Sequence, residues 1–127
     1  SMLNTPPVFA VYVCMLTLRW LKALGGVAVV EKLNNEKAAL LYAAIDESPL
    51  FTGTGNKEDR SKMNVCFVMS DPLREAFFLQ FTKEQGIVGI KGHRLVGGFR
   101  ASLYNALPLS SVQVLTQLMK EFTQKNA

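Results

Sequence analysis

Histidine occurs once and cysteine twice in these 127 residues, and those scarcities exclude whole classes of chemistry. His93 stands alone, Cys14 and Cys66 are far apart, and neither thiol belongs to a CxxC or Cys/His cluster. A zinc site therefore has too few ligands. The same spacing predicts reduced, buried thiols and a cytoplasmic chain, not a disulfide scaffold. Long apolar runs are also missing. Val8 to Leu18 is too short to span a bilayer and is closed by Arg19 and Lys22; with no basic region ahead of it, it does not read as a signal peptide either. A buried helix is the expectation there.

What is present fits a single packed domain. Apolar residues make up 49% and charged residues 19%, ample for a core and unlike a disordered chain. The net charge of +4 is modest, and most lysines sit among acids, as in EKLNNEK and NKEDRSK. Only Lys91 to Arg100 is basic with no acid inside it. That pattern points to a local anion site, not to a surface that coats nucleic acid.

Pro6 and Pro7 open a helix that stops at Gly25-Gly26. Asn4 and Thr5 just before it read as its N-cap. This helix is apolar nearly all round, so something outside the 127 residues is expected to cover part of it. A second helix spans Val27 to Asp46, with Val30, Leu33, Ala38, Leu41 and Ile45 at helical spacing. Its polar positions, Glu31, Lys32, Asn34, Asn35, Glu36 and Lys37, read as a solvated face. Thr52 to Lys62 reads as a loop, Met63 to Met69 as a strand, and Asp71-Pro72 as the start of a helix that ends at Gly86. Ile87 to Ile90 and Phe99 to Tyr104 are expected strands. Leu109 to Lys125 is a closing helix with Val112, Leu115, Leu118, Met119 and Phe122 as its core stripe. The order ααβαββα is α/β, a small sheet with helices mainly on one face.

The segment KGHRLVGGFR, Lys91 to Arg100, crowds cations around a Gly-Gly pair. Two glycines allow a tight turn with positive φ and close backbone approach. Arg94 and Arg100 on either side can each present a planar guanidinium to a carboxylate or phosphate. His93 adds a donor whose charge a bound dianion would induce. On spacing alone two readings stand: a site for a small dianion, or arginines paired with distant acids such as Glu75 or Asp46 while the glycines only shape a hairpin. Ile87 to Leu95 also mimics the GxxG loop of KH-type RNA-binding domains. That loop must lead into a helix, and Gly97-Gly98 would cost about 2 kcal/mol in a helix interior. No nucleic-acid partner is expected.

The stretch GHRLVGGFRASLYNA, Gly92 to Ala106, closely resembles a signature of the phosphoserine aminotransferase family, pyridoxal-phosphate enzymes of the class V, fold-type-I group. NTPPVFAVY (Asn4 to Tyr12), WLKALGGV (Trp20 to Val27) and DRSKMNV (Asp59 to Val65) fall in the same order at compatible spacing. The resemblance covers only the C-terminal part of that family. It implies that residues 1–26 lead in from a large domain and that 27–127 form the small domain. The Schiff-base lysine belongs to the large domain; Lys91, nearest by position, reads as part of the loop, and this chain alone is expected to be inactive. The resemblance further implies that Asn4 and Thr5 reach the cofactor phosphate of the other subunit of a homodimer. It makes Arg100 the grip on the substrate α-carboxylate, and His93 and Arg94 contacts to the far anionic end of phosphoserine or glutamate. Leu95 and Phe99 stand where smaller or more flexible residues are expected in relatives, and flank those contacts. A free-standing anion-binding or interaction module on the same fold, and another class V aminotransferase, compete with this reading.

Overall fold

The computed structural model describes residues 3–126. The chain divides into two compact units, Ser1–Lys32 and Leu33–Ala127.

The first unit is built on α1 (Val8–Ala23). The helix starts two residues later than Pro6 because Pro7 occupies the N-cap position and has no side-chain acceptor to offer. Asn4 and Thr5 therefore do not cap it; both are exposed ahead of the helix. No residue of α1 is buried, and Val8, Phe9, Val11, Tyr12 and Leu18 are each more than half exposed. Cys14 lies on this helix, exposed, as is Cys66 in the second unit; both thiols are free, so the expectation that they are buried is wrong. No single helix among the described residues is long and apolar enough to cross a membrane.

Helix α2 (Val27–Glu47) carries the chain into the second unit. There it is followed by β1 (Phe51–Gly53), β2 (Asn64–Met69), α3 (Glu75–Glu84), β3 (Phe99–Ser102) and α4 (Leu109–Asn126). The strands form one antiparallel sheet in the order β1-β2-β3, with Phe51 opposite Met69 and Phe67 opposite Phe99. The order is thus ααββαβα. The loop expected from Thr52 hides a three-residue edge strand, too short to show an alternating pattern. The strand expected at Ile87–Ile90 is absent, because Gly86 just ahead of it and Gly89 within it take positive φ of 84° and 77° and break extended backbone. Asp71 is an N-cap as expected, its carboxylate accepting from the Leu73 N–H at 3.0 Å, but the first turn it caps is the 3-10 turn Pro72–Arg74.

One face of the sheet is covered. Phe51, Val65, Phe67, Met69, Phe99 and Ala101 point into a core completed by Leu41 and Ile45 of α2, Phe78 of α3, and Val112, Leu115, Met119 and Phe122 of α4. The expected stripe of α4 is buried throughout. Phe78 sits edge-on to Phe51, Phe99 and Phe122, with ring centroids 5.0, 5.2 and 5.1 Å apart. Such contacts add to the area term that buries the rings.

The solvated face expected on α2 is only partly so. Leu33 is exposed, whereas Asn34 and Lys37 are buried. The Lys37 ammonium donates to the carbonyls of Leu103, Tyr104 and Leu107 at 3.0, 2.8 and 3.1 Å. Burial lowers its pKa below the ordinary 10.5.

Asp46, at the end of α2, is held by Arg60 through two hydrogen bonds of 2.8 and 2.7 Å, and that guanidinium also lies over the Tyr42 ring. The hydrogen bond from Arg60 holds the Asp46 carboxyl below its ordinary 3.8; Lys57 reinforces this and partial burial opposes it. A carboxylate depressed in the fold stabilises it above the unfolded pKa and loses that contribution as pH falls through the folded value. Asp46→Asn should therefore melt a few degrees lower at neutral pH, since such a pair is worth about 1 kcal/mol or less. The gap from the unsubstituted chain should close as pH drops below about 3.8. Melting curves across that range check it; a gap that persists in acid contradicts it.

Candidate functional site

Burying Phe99 and Ala101 leaves Arg100 and Ser102 on the open face of the sheet, because successive strand residues point to opposite sides. Arg100 lies across from Cys66, and Ser102 across from Asn64. Asn64 Oδ1 accepts from the Ser102 hydroxyl and the Tyr104 hydroxyl, each at 3.3 Å. An arginine thus shares an exposed strand face with hydroxyl and amide side chains.

The cations ahead of β3 sit in a closed hairpin. The Gly92 N–H donates to Gly98 O at 2.8 Å, Lys91 bridges to Phe99, and the Arg100 N–H donates to Ile90 O at 2.8 Å. At the tip, Val96 and Gly97 both donate to His93 O, at 2.9 and 2.8 Å. The Leu95 N–H donates to His93 Nδ1 at 3.2 Å, so Nδ1 acts as acceptor and Nε2 is the nitrogen left to face a ligand. Gly97 and Gly98 have φ of 77° and 61°, as the tight turn expected from the sequence requires. His93, Arg94 and Arg100 are exposed.

Among the described residues, no carboxylate lies within salt-bridge distance of Arg94 or Arg100. The alternative of arginines neutralised by Asp46 or Glu75 is thereby removed: Asp46 is engaged by Arg60 and Lys57. No cluster of metal-ligating side chains occurs among the described residues. The hairpin presents two guanidiniums and an imidazole, groups that suit a carboxylate or phosphate by charge and donor type. Asn4 and Thr5 belong to the first unit; their amide and hydroxyl groups are exposed and suit a phosphate ester by donor type. Sequence reasoning missed Cys66, Asn64, Ser102 and Tyr104 as neighbours of Arg100. The signal available was alternation, since 100, 102 and 104 fall on one side of an extended chain.

The family model Aminotransferase class-V matches residues 1–115. The phosphoserine aminotransferase of Porphyromonas gingivalis is 62% identical over 99% of this chain and 36% of its own length. That of Flavobacterium johnsoniae is 60% identical over 98% of this chain and 35% of its own length. Among solved structures, phosphoserine aminotransferase from Bacillus circulans subsp. alkalophilus superposes with a TM-score of 0.93 at 40% identity, over 98% of this chain and 35% of that one. PLP-bound phosphoserine aminotransferase from Trichomonas vaginalis gives 0.86 at 42%, over 94% and 34%. The chain thus spans about a third of the length of the relatives it matches.

The hairpin leaves no room for a side chain at Gly92. A Cβ built there falls 2.0 Å from Gly97 O and 2.7 Å from Gly98 O, both backbone atoms that cannot move without opening the turn. Gly92→Ala should cost roughly 2 kcal/mol or more. Gly55→Ala, with nothing within 4 Å of its Cβ, should change stability by well under about 1 kcal/mol. Denaturant midpoints of the two variants make the comparison, and equal losses would contradict the geometry.

Proposed function

The chain belongs to the class-V aminotransferases, and from that premise we propose that it is the C-terminal part of a phosphoserine aminotransferase. The enzyme would move an amino group from glutamate to 3-phosphohydroxypyruvate, giving 3-phosphoserine and 2-oxoglutarate, a step of serine biosynthesis. Residues 1–26 would lead in from the large domain and residues 27–127 form the small domain. The observation that carries the reading is the hairpin: cations locked in a glycine turn with no carboxylate of their own among the described residues.

Both amino-acid substrates have an anion at each end, and positioning them is the work this chain would do. Arg100 takes the α-carboxylate through paired hydrogen bonds, a geometry that a lysine cannot reproduce. His93 and Arg94 take the far phosphate or side-chain carboxylate. Pyridoxal phosphate, when bound, supplies the electron sink for the transfer. Asn4 and Thr5 would donate to its phosphate in the other subunit of a homodimer. None of the five is a general acid, base or nucleophile. The uncovered apolar surface of α1 supports a homodimer and a large domain packed against it. The free, exposed thiols of Cys14 and Cys66 support a reducing cytoplasm.

In the longer enzyme, Arg100→Lys should raise KM for both amino acids about tenfold, and Arg100→Met by about a hundredfold or more. Cofactor absorbance should stay the same in both variants. Steady-state kinetics with O-phospho-L-serine and with glutamate check this. Unchanged KM for both would remove Arg100 from the site. Transamination restricted to another acidic substrate would favour a different class V activity, and no transamination at all a binding module.

A further inference from the structure

Among the described residues, Lys37 is the only charged side chain that is buried, and its placement is expensive unless each donor is met. An ammonium has three donors, and the three carbonyls of Leu103, Tyr104 and Leu107 meet all of them. Among the described residues, no carboxylate is within salt-bridge distance of it. The charge therefore serves only to gather backbone carbonyls of one short segment. That segment is the exit of β3: Leu103 is three residues beyond Arg100, and its N–H donates to Met63 O, just ahead of β2, at 2.7 Å. Asn34, one helical turn before Lys37, donates to Asn105 Oδ1 at 2.8 Å and grips the same segment. Two residues of α2 thus fasten the chain between β3 and α4.

An apolar side chain of similar length would fill the same space but leave those carbonyls without this donor. What a buried ammonium supplies instead is direction. It fixes where three carbonyls point, and with them the path of the backbone on which Arg100, Ser102 and Tyr104 alternate. We propose that Lys37 is a positioning residue for Arg100, holding the exit of β3 so that the guanidinium meets a substrate carboxylate in one orientation. The role assigned to Arg100 rests on the aminotransferase reading; the fastening of β3 does not.

The test uses Lys37→Met and Lys37→Arg in the full-length enzyme. Lys37→Met should raise KM for both amino-acid substrates about tenfold while kcat changes less than about twofold. In an Arg100→Lys background it should add little, since both changes disturb one contact. Amides from Arg100 to Leu107 should exchange with deuterium faster, and those of α3 should not. Lys37→Arg keeps the charge, but a planar fork cannot aim at three converging carbonyls, so it should shift KM in the same direction. If Lys37→Met does not fold, Lys37→Arg alone decides. Unchanged KM, or an effect fully additive with Arg100→Lys, overturns the proposal even where melting temperature drops. If the unsubstituted enzyme performs no transamination, the aminotransferase reading fails, and exchange decides the fastening alone: faster exchange confined to Arg100–Leu107 supports it, and unchanged exchange overturns it.

Discussion

Burial of Phe99 between Phe67 and Phe78 is the contact on which the cationic hairpin depends. Its ring stacks on Phe67 at 5.0 Å and meets Phe78 edge-on at 5.2 Å, and the residue is 2% exposed. A strand has only two faces, so fixing Phe99 inward fixes Arg100 outward. A slip of one residue would bury the guanidinium and expose the ring, a change no small core tolerates. Gly98 extends the constraint backwards, because a Cβ there would stand 2.8 Å from Phe67 O, so the hairpin begins pressed against β2. The exposure of Arg100 is thus a consequence of core packing on the opposite side of a four-residue strand.

Local signals carried far in the sequence. The α4 stripe, the Asp71 cap and the glycine turn each follow from spacing within a few residues, and each appears in the structure. What escaped was tertiary. Three residues of β1 contain no period to detect, and Ile87 to Ile90 is extended only if Gly86 before it and Gly89 within it allow it. Lys37 looks identical to its solvated neighbours in EKLNNEK until the carbonyls of Leu103 to Leu107, 66 to 70 positions away, are brought beside it. The partners of Arg94 and Arg100 were undecided for the same reason. Only the fold shows that Arg60 has already taken Asp46.

The candidate site separated differently. His93, Arg94 and Arg100 were legible as a cationic cluster from composition alone, since no acid interrupts it. Their division of labour was not: the anion proposed for each comes from resemblance to a family, and fold by itself does not assign function. Guanidinium chemistry supports the proposed assignment, because its planar fork suits carboxylate and phosphate alike. The exposed apolar residues of α1 belong to the same account. No residue of α1 is buried, and the chain is about a third as long as its relatives.

A crystal structure of the full-length enzyme with O-phospho-L-serine bound tests the central claim most directly. The account predicts the Arg100 guanidinium on the α-carboxylate through two hydrogen bonds of about 2.8 Å, with His93 and Arg94 at the phosphate. Arg100 paired instead with a protein carboxylate, or both ligand anions held by residues outside this hairpin, would contradict it.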